Sequence, residues 1–454
     1  MQRLILAARL LNMPITKIRL KNFKCFADSG EIDIAPLTVI FGRNNSGKSS
    51  ILQSLLLLRQ TIDSPEYGPR VNLRGPLYPA GSFADIIHQH RSKQRLMLCF
   101  GLEGAKGEAL GEIEMEFQSD EPRAPVLSRL AIRSRAAQTL EIGRGRGAGG
   151  PYSLHIGGRN LGLEKSANFR FPVNQFLPLI GGEPRRRGRP SPERERSRAV
   201  ASEMLLALEG ILHGLRAMGA FRRQPERRYE FQGRLPEVVD AVGEHVVNAL
   251  IDDATRRRGR GELLKSVNRR LKLVGQVRLL PLRRISKAAR IFEIRLKDLD
   301  SGRWANFADV GFGIGQAFPV LVEGLRTPPG GLFLVQEPEI HLHPDAQLAM
   351  ADFLVDLVRS GRRVIAETHS EHLLLRLRRL MIGGARDGRF TRPLKPEQVS
   401  LIHVSKAPDG TSTTQRLELD ELAQIKNWPV GFMEEATEER LAIMKAIGEQ
   451  AEAD

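Results

Sequence analysis

The stretch Phe41-Gly42-Arg43-Asn44-Asn45-Ser46-Gly47-Lys48-Ser49-Ser50 constrains this chain more than any other. A glycine followed after four residues by Gly-Lys-Ser is the P-loop spacing, in which the backbone N–H groups of a tight turn close around phosphate oxygens. The flanks agree with that reading. Leu37 to Phe41 reads as a short buried strand, and Ser49 to Leu58 as a helix whose N-terminal dipole faces the anion. In such a turn Gly42, Asn44, Asn45, Ser46, Gly47 and Ser50 line the phosphates, Lys48 neutralises the β and γ phosphates, and the Ser49 hydroxyl ligates Mg²⁺. The loop specifies a nucleotide and leaves open the use made of it.

With 454 residues, 41% of them apolar, the chain has room for two or three domains and a sizeable core. Two cysteines, Cys25 and Cys99, exclude a disulfide framework and a four-cysteine zinc site; both read as core residues in a reducing compartment. No apolar run approaches membrane-spanning length, so no membrane association and a cytoplasmic location are expected. Against 53 acidic side chains stand 69 basic ones, a net charge of +16. That excess suits a polyanionic partner, or equally a surface that simply prefers arginine.

Along the chain, residues 1–12 read as an extension ahead of the first strand. Residues 13–118 form a first lobe of strands around the P-loop. Residues 119–300 read as an insertion, with strand-like pieces giving way to helical stretches and to the aperiodic "EPRRRGRPSPERERSRAV", taken as a mobile linker. Residues 301–394 return to α/β character, and 395–454 form a C-terminal extension with a strand pair and a helical end. Two arginine clusters mark the insertion: Arg185, Arg186, Arg187, Arg189, Arg194, Arg196 and Arg198, then Arg256, Arg257, Arg258 and Arg260. They suit a DNA backbone, or equally a solvated linker or an acidic protein partner.

The second half supplies what a P-loop lacks. "LFLVQEPEIHLHP" is an apolar strand ending in Gln336-Glu337-Pro338-Glu339, which presents acids at its C-terminal tip. Glu337 is the first choice for the base that polarises the attacking water, and Glu339 the reserve. "RRVIAETHSEH" is another buried strand, ending in Thr368-His369-Ser370, where His369 can sense a γ-phosphate. Between P-loop and strand, Gly311, Gly313 and Gly315 lead into an apolar helix with Gly315-Gln316 at its start, a second anion-binding turn. One monomer has no second phosphate to fill it, so the turn is expected to face a nucleotide held by another subunit.

Taken in order, "GRNNSGKSS", a long insertion, "GFGIGQ", "VQEPEIHLHP" and "ETHSEH" resemble the ABC-type ATPases of the RecF, SMC and OLD-like kind, over residues 13–118 and 300–394. "FRRQPERRY" and the terminal "IKNWPVGFMEE" resemble a bacterial branch of AAA-type ATPases with a C-terminal Asn-Trp-Pro module. The resemblance implies an α/β P-loop NTPase head of ABC type, a mixed sheet flanked by helices, with a large α+β insertion and a small extension. It implies ATP and Mg²⁺ as cofactors, and Gly311 to Gln316 as the signature loop. It makes Glu337 the catalytic glutamate, His341 to Pro344 the D-loop region and His369 the switch histidine. Gln89 or Asp85 would serve the Q-loop.

Two departures stand out. Gln336 occupies the place of a magnesium-supporting aspartate, and Gly315 that of a serine over the γ-phosphate. Partners by the same likeness are a second copy paired through the ATP heads, or a higher oligomer, and a separate effector such as a nuclease, in DNA repair or antiphage defence. No Toprim-type acidic cluster and no sustained heptads occur, so neither a nuclease site nor a long coiled-coil arm is expected in this chain. An ATPase cycle that regulates DNA or an effector is the first reading, and a hydrolysis-poor ATP-bound scaffold the alternative.

Overall fold

The computed structural model describes residues 13–429 apart from 65–67, 105–108, 121–122, 146–149, 173–174, 183–190, 232, 234–239, 256–260, 287–289, 384–392 and 421, and adds 439 and 442–444. The chain enters on β1 (Ile15–Phe23) and passes through two short strands into β2 (Leu37–Phe41), all five of whose residues are buried. The P-loop and α1 (Lys48–Ile62) follow. A run of antiparallel strands comes next: β3 (Leu96–Glu103), β4 (Ala109–Asp120), β5 (Arg123–Ser134), β6 (Ala137–Arg144), β7 (Tyr152–Ile156) and β8 (Arg159–Leu163). Beyond it lie α2 (Pro192–His213) and β9 (Arg216–Met218). After two further helices and two small three-stranded sheets come α3 (Phe312–Arg326), β10 (Leu332–Gln336), α4 (Pro344–Arg359), β11 (Arg363–Glu367), α5 (Glu371–Ile382) and the hairpin β12 (Val399–Lys406) and β13 (Ser412–Leu417).

Two large sheets organise these elements. One has six strands in the order β9-β10-β11-β2-β12-β13, parallel except for the last. Its inner strands are near-continuous apolar runs because both faces are covered. The other has nine strands; β3 to β8 follow one another as an antiparallel meander, and β1 pairs with β3 at one end. Helix α2 packs on this second sheet and on α1, which ties the two layers together. The result is an α/β P-loop NTPase fold with a mixed sheet flanked by helices. Among the described residues no helix is long and apolar enough to cross a membrane.

Several segments sit differently from the linear reading. Alternating burial does not stop at residue 118: the antiparallel sheet runs on to Leu163. Within the stretch read as an insertion, Arg216–Met218 pairs in parallel with Phe333–Val335 and joins the central sheet. The strand pair of the extension also belongs there, with β12 against β2. The arginine-rich segment is no linker from Pro192 onward. Ser191 precedes Pro192 at the first helical position, and Glu193 and Glu195 lie in the first turn, so the apparent low complexity is a helix start. Arg194, Arg196 and Arg198 therefore lie on α2, and Arg198 is buried with a guanidinium N–H donating to Gly181 O at 2.9 Å. Arg185, Arg186, Arg187 and Arg189 and the cluster from Arg256 to Arg260 lie outside the described residues, as do residues 1–12.

Cys99 is buried in β3, and desolvation pushes its thiol up to about 12, which fits a core residue and no reactive one. The helices that follow β10 and β11 are clamped by one ion pair. Arg376 on α5, 5% exposed, donates to both carboxylate oxygens of Asp352 on α4 at 2.7 and 3.1 Å. Losing this bidentate arginine costs a partly buried carboxylate about 3 kcal/mol. Arg376→Met should therefore lower the unfolding free energy from denaturant titration by about that amount, and adding Asp352→Leu should restore part of it. Unchanged stability in the single variant would show that the clamp contributes nothing.

Candidate functional site

The site lies where β2, β10 and β11 end side by side. The loop after β2 fits its glycines closely. Gly42 has φ +149°, and a Cβ there would stand 2.2 Å from Val404 O on β12. Gly47 caps α1 with φ +102°, and a Cβ there would meet Cys25 Sγ at 2.2 Å. Both positions accept only glycine. The C-terminal hairpin thus forms part of the floor of the loop, and Ser412 adds a hydroxyl that donates to Ser46 O at 2.6 Å. Nothing in the linear reading connected residues 404 and 412 with the P-loop.

Lys48 is buried and donates its ammonium to Gly42 O at 3.0 Å and Arg43 O at 2.8 Å. Desolvation lowers its pKa, while the charges of Glu367 and Glu337 act in the opposite sense. Asn44 and Asn45 are exposed on the loop, Asn45 with φ +60°. Ser46 Oγ is buried without a hydrogen-bond partner, and Ser50 is buried against Cys25, their Oγ and Sγ 3.5 Å apart. An orphaned hydroxyl inside a glycine-rich turn, beside a lysine at a helix N-terminus, fits a phosphate.

Strand register aligns the two acidic tips. Gln336 and Glu367 are paired residues of β10 and β11, and the Gln336 amide donates to Glu367 Oε2 at 2.9 Å. On the other side Ser49 Oγ donates to Glu367 Oε1 at 2.7 Å. Glu367 is 4% exposed, and burial raises its pKa, opposed by these two hydrogen bonds and by Lys48. The linear reading missed Glu367, although the signal was present: an acid as the last residue of an otherwise apolar strand.

Glu337 follows in a left-handed turn with φ +43°, half-buried, its N–H donating to Glu367 O at 2.7 Å. Its charge acts on Lys48, Arg222, Glu339, Glu367 and His369, so these groups lie around it. Glu339, the reserve base, has another position. It is 6% exposed, and its Oε1 accepts from Thr368 Oγ1 at 2.6 Å and from the His369 N–H at 2.9 Å. Burial raises its pKa. A carboxyl locked into the turn after β11 holds His369 in place and is not presented to water. His369 itself is exposed, with its pKa lowered by partial desolvation of the ring and by Lys48. The imidazole is therefore neutral near pH 7.

Arg222, from the "FRRQPERRY" segment, is a second residue that sequence reasoning missed. It is 6% exposed and donates to Gln336 O at 2.6 Å, Glu337 O at 2.9 Å, Gly219 O at 2.9 Å and Gln316 O at 3.2 Å. Burial pushes its pKa down to about 10. The guanidinium binds the tip of β10 to α3.

The second glycine turn begins earlier than its spacing suggested. Helix α3 starts at Phe312 with Gly311 as its cap, so Gly315 and Gln316 lie inside the helix. Gln316 is buried, its side-chain amide 3.4 Å from Arg222 O, and is not on the surface of the turn. Gly313 faces His341 O, which a Cβ would approach to 2.5 Å, whereas Gly315 faces Pro225. The open positions are Gly311 and Phe312, both exposed. This helix start rests on the His341 turn beyond β10, whereas the P-loop follows β2, two strands away in the same sheet. Of the Q-loop candidates, exposed Asp85 is engaged in a cap, accepting from Ser82 N at 2.8 Å and Ser82 Oγ at 2.7 Å; Gln89 is exposed with φ +52°.

Among the described residues no three His, Cys, Asp or Glu side chains gather as a metal cluster. The donors that do meet are all hard oxygens, the Ser49 hydroxyl and the Glu367 carboxylate, a set suited to Mg²⁺ completed by phosphate and water.

Comparison with known proteins agrees with the P-loop assignment. Residues 13–102 match the family described as "AAA ATPase domain", and residues 183–376 the family described as "AAA domain, putative AbiEii toxin, Type IV TA system". Both are ATPase domain families. No curated protein matches the chain. Among solved structures, an SMC head bound to the C-terminal winged-helix domain of ScpA is 14% identical with a TM-score of 0.45, covering 90% of this chain and 98% of that one. The SMC head domain from Thermotoga maritima is 13% identical with a TM-score of 0.40, covering 89% and 99%. The Smc head from Pyrococcus furiosus bound to the C-terminal domain of ScpA is 12% identical with a TM-score of 0.44, covering 96% and 99%.

Lys48→Ala removes the buried cation of the loop. A hydrogen-bonded charge contributes about 1.5 to 3 kcal/mol, so ATP affinity should fall roughly 10- to 100-fold in a titration with a fluorescent analogue. Normal affinity with a normal thermal transition would remove the phosphate assignment.

Proposed function

We propose that this chain is an ATPase that binds Mg·ATP at the P-loop and hydrolyses it with Glu337 as general base. The observation that carries this is the convergence of Lys48, Glu337, Glu367 and His369 at the ends of three adjacent parallel strands. The loop N–H groups and Lys48 hold the phosphates. Glu337, fixed through its backbone by Glu367 and Arg222, polarises the attacking water. Neutral His369 hydrogen-bonds water or the γ-phosphate, oriented by Glu339. Mg²⁺ would be held beside the Ser49 hydroxyl and would offset the charge of the phosphates.

The exposed start of α3 supports a composite site, in which Gly311 and Phe312 of one copy face the nucleotide of a second. Pairing of two ATP-bound heads would then regulate DNA engagement or a separate effector protein, nuclease or otherwise, and the net charge of +16 suits a polyanion at some stage. The alternative, a hydrolysis-poor scaffold, rests on the neutral Gln336. Steady-state phosphate release with and without duplex DNA separates the two; release at background level in both conditions would favour the scaffold.

For pairing, Gly311→Asp is the informative variant, because a Cβ there has nothing within 4 Å and aspartate is a good helix cap. The variant should fold and bind ATP normally yet fail to dimerise with ATP by light scattering, since its carboxylate would face the γ-phosphate of the other copy. ATP-dependent dimers of wild-type strength would rule out the composite site.

A further inference from the structure

We propose that Glu367, and not Gln336, is the carboxylate that holds the magnesium of this site, with the Ser49 hydroxyl as its companion ligand. The inference rests on the Mg·ATP reading above and deepens it. It starts from an oddity at the tip of β10, where an amide stands in the place expected of the supporting acid. The structure puts an acid one strand over, in register. Gln336 and Glu367 are partners across β10 and β11, and the acid lies between the amide and the P-loop serine.

The hydrogen bonds have a definite sense. Ser49 donates its proton to Glu367 Oε1, which leaves both hydroxyl lone pairs for a cation. Gln336 donates to Oε2, and an ionised carboxylate retains further acceptor sites on both oxygens. Glu367 is therefore oriented from two sides without being saturated. Its partners are a hydroxyl and an amide, neither of which carries charge, while the carboxylate is 4% exposed. The nearby Lys48 offsets part of the cost of burying this anion, and a divalent cation beside it would offset more.

The same geometry gives Gln336 a purpose. An aspartate or glutamate at 336 would set two carboxylates within hydrogen-bond distance, and like charges that close do not both stay ionised. The amide removes the conflict and adds a donor. Gln336 is thus a positioning residue, and the acid and the amide have exchanged strands relative to an arrangement with the acid on β10.

The test uses the full chain and reads metal binding apart from turnover. Nucleotide affinity is measured with a fluorescent ATP analogue in EDTA, and Mn²⁺ affinity of the nucleotide-saturated protein by electron paramagnetic resonance. Glu367→Gln should keep its metal-free nucleotide affinity within about threefold and lose Mn²⁺ affinity by about tenfold or more, the size seen when a metal site loses an anchoring group. Gln336→Ala should lose less, because it leaves the charge in place. The exchange Gln336→Asp with Glu367→Gln should recover Mn²⁺ binding, which shows that the loss in the single variant is not misfolding. Wild-type Mn²⁺ affinity in Glu367→Gln, or no recovery in the exchange, overturns the assignment while leaving nucleotide binding intact. Absence of nucleotide binding by the wild-type chain in both conditions overturns the Mg·ATP reading and this inference together.

Discussion

The site depends on the register between β10 and β11. Pairing of Gln336 with Glu367 is one rung of a parallel ladder, and parallel strands end on the same side of their sheet. A slip of one residue would turn Glu367 to the opposite face, where it could meet neither Ser49 nor Gln336. The register is strongly specified by burial. Leu332 to Val335 and Val364 to Glu367 are buried without a break, covered on one side by α1 and Ile211 of α2 and on the other by α3 and α4. The hydrophobic core thus fixes to within a hydrogen bond where the polar tips stand.

Much of this was legible in the chain itself. The P-loop pattern, the apolar runs ending in acids and the His369 tip each combine a local motif with a continuous hydrophobic stretch, and the structure brings them together. Glu367 is the last residue of its apolar strand, directly before the Thr368-His369-Ser370 motif, and only the register with β10 sets it apart. The roles of Val404, Ser412 and Arg222 were not legible at all. Each is a contact across more than a hundred residues, made by backbone carbonyls, a small hydroxyl and one arginine among many, and no spacing announces it. The helix start at Ser191-Pro192 is hidden for a different reason: charged residues in a first turn have the composition of a low-complexity segment, and only the Ser-Pro before them marks the helix.

Arg222 shows why the segment around it cannot be a passive appendage to the fold. Its guanidinium donates to four carbonyls, two at the tip of β10, one on α3 and one in its own turn. A carbonyl at a strand end has lost its ladder partner, and leaving it buried and unpaired costs about 1 to 3 kcal/mol. A single guanidinium, with its fixed fork of donors, satisfies several such groups at once, which lysine could not do. The cost of burying its charge is visible in a pKa pushed down to about 10, and the nearby charges of Glu339 and Glu337 offset part of it.

That arrangement joins α3 to the tip of β10. The helix start that carries Gly311 and Phe312 also rests on His341 O through Gly313, where no side chain would fit, and the Phe312 ring stands edge-on to the His341 ring at 4.6 Å. Gln316, one turn further along the same helix, is bonded to Arg222, and Arg222 to Glu337. The exposed turn is thus connected to the backbone of Glu337 in two ways, one by packing and one by hydrogen bonds. Glu337 occupies a left-handed conformation that costs a non-glycine residue about 1 kcal/mol, so its position is held by these neighbours and not by its own preference.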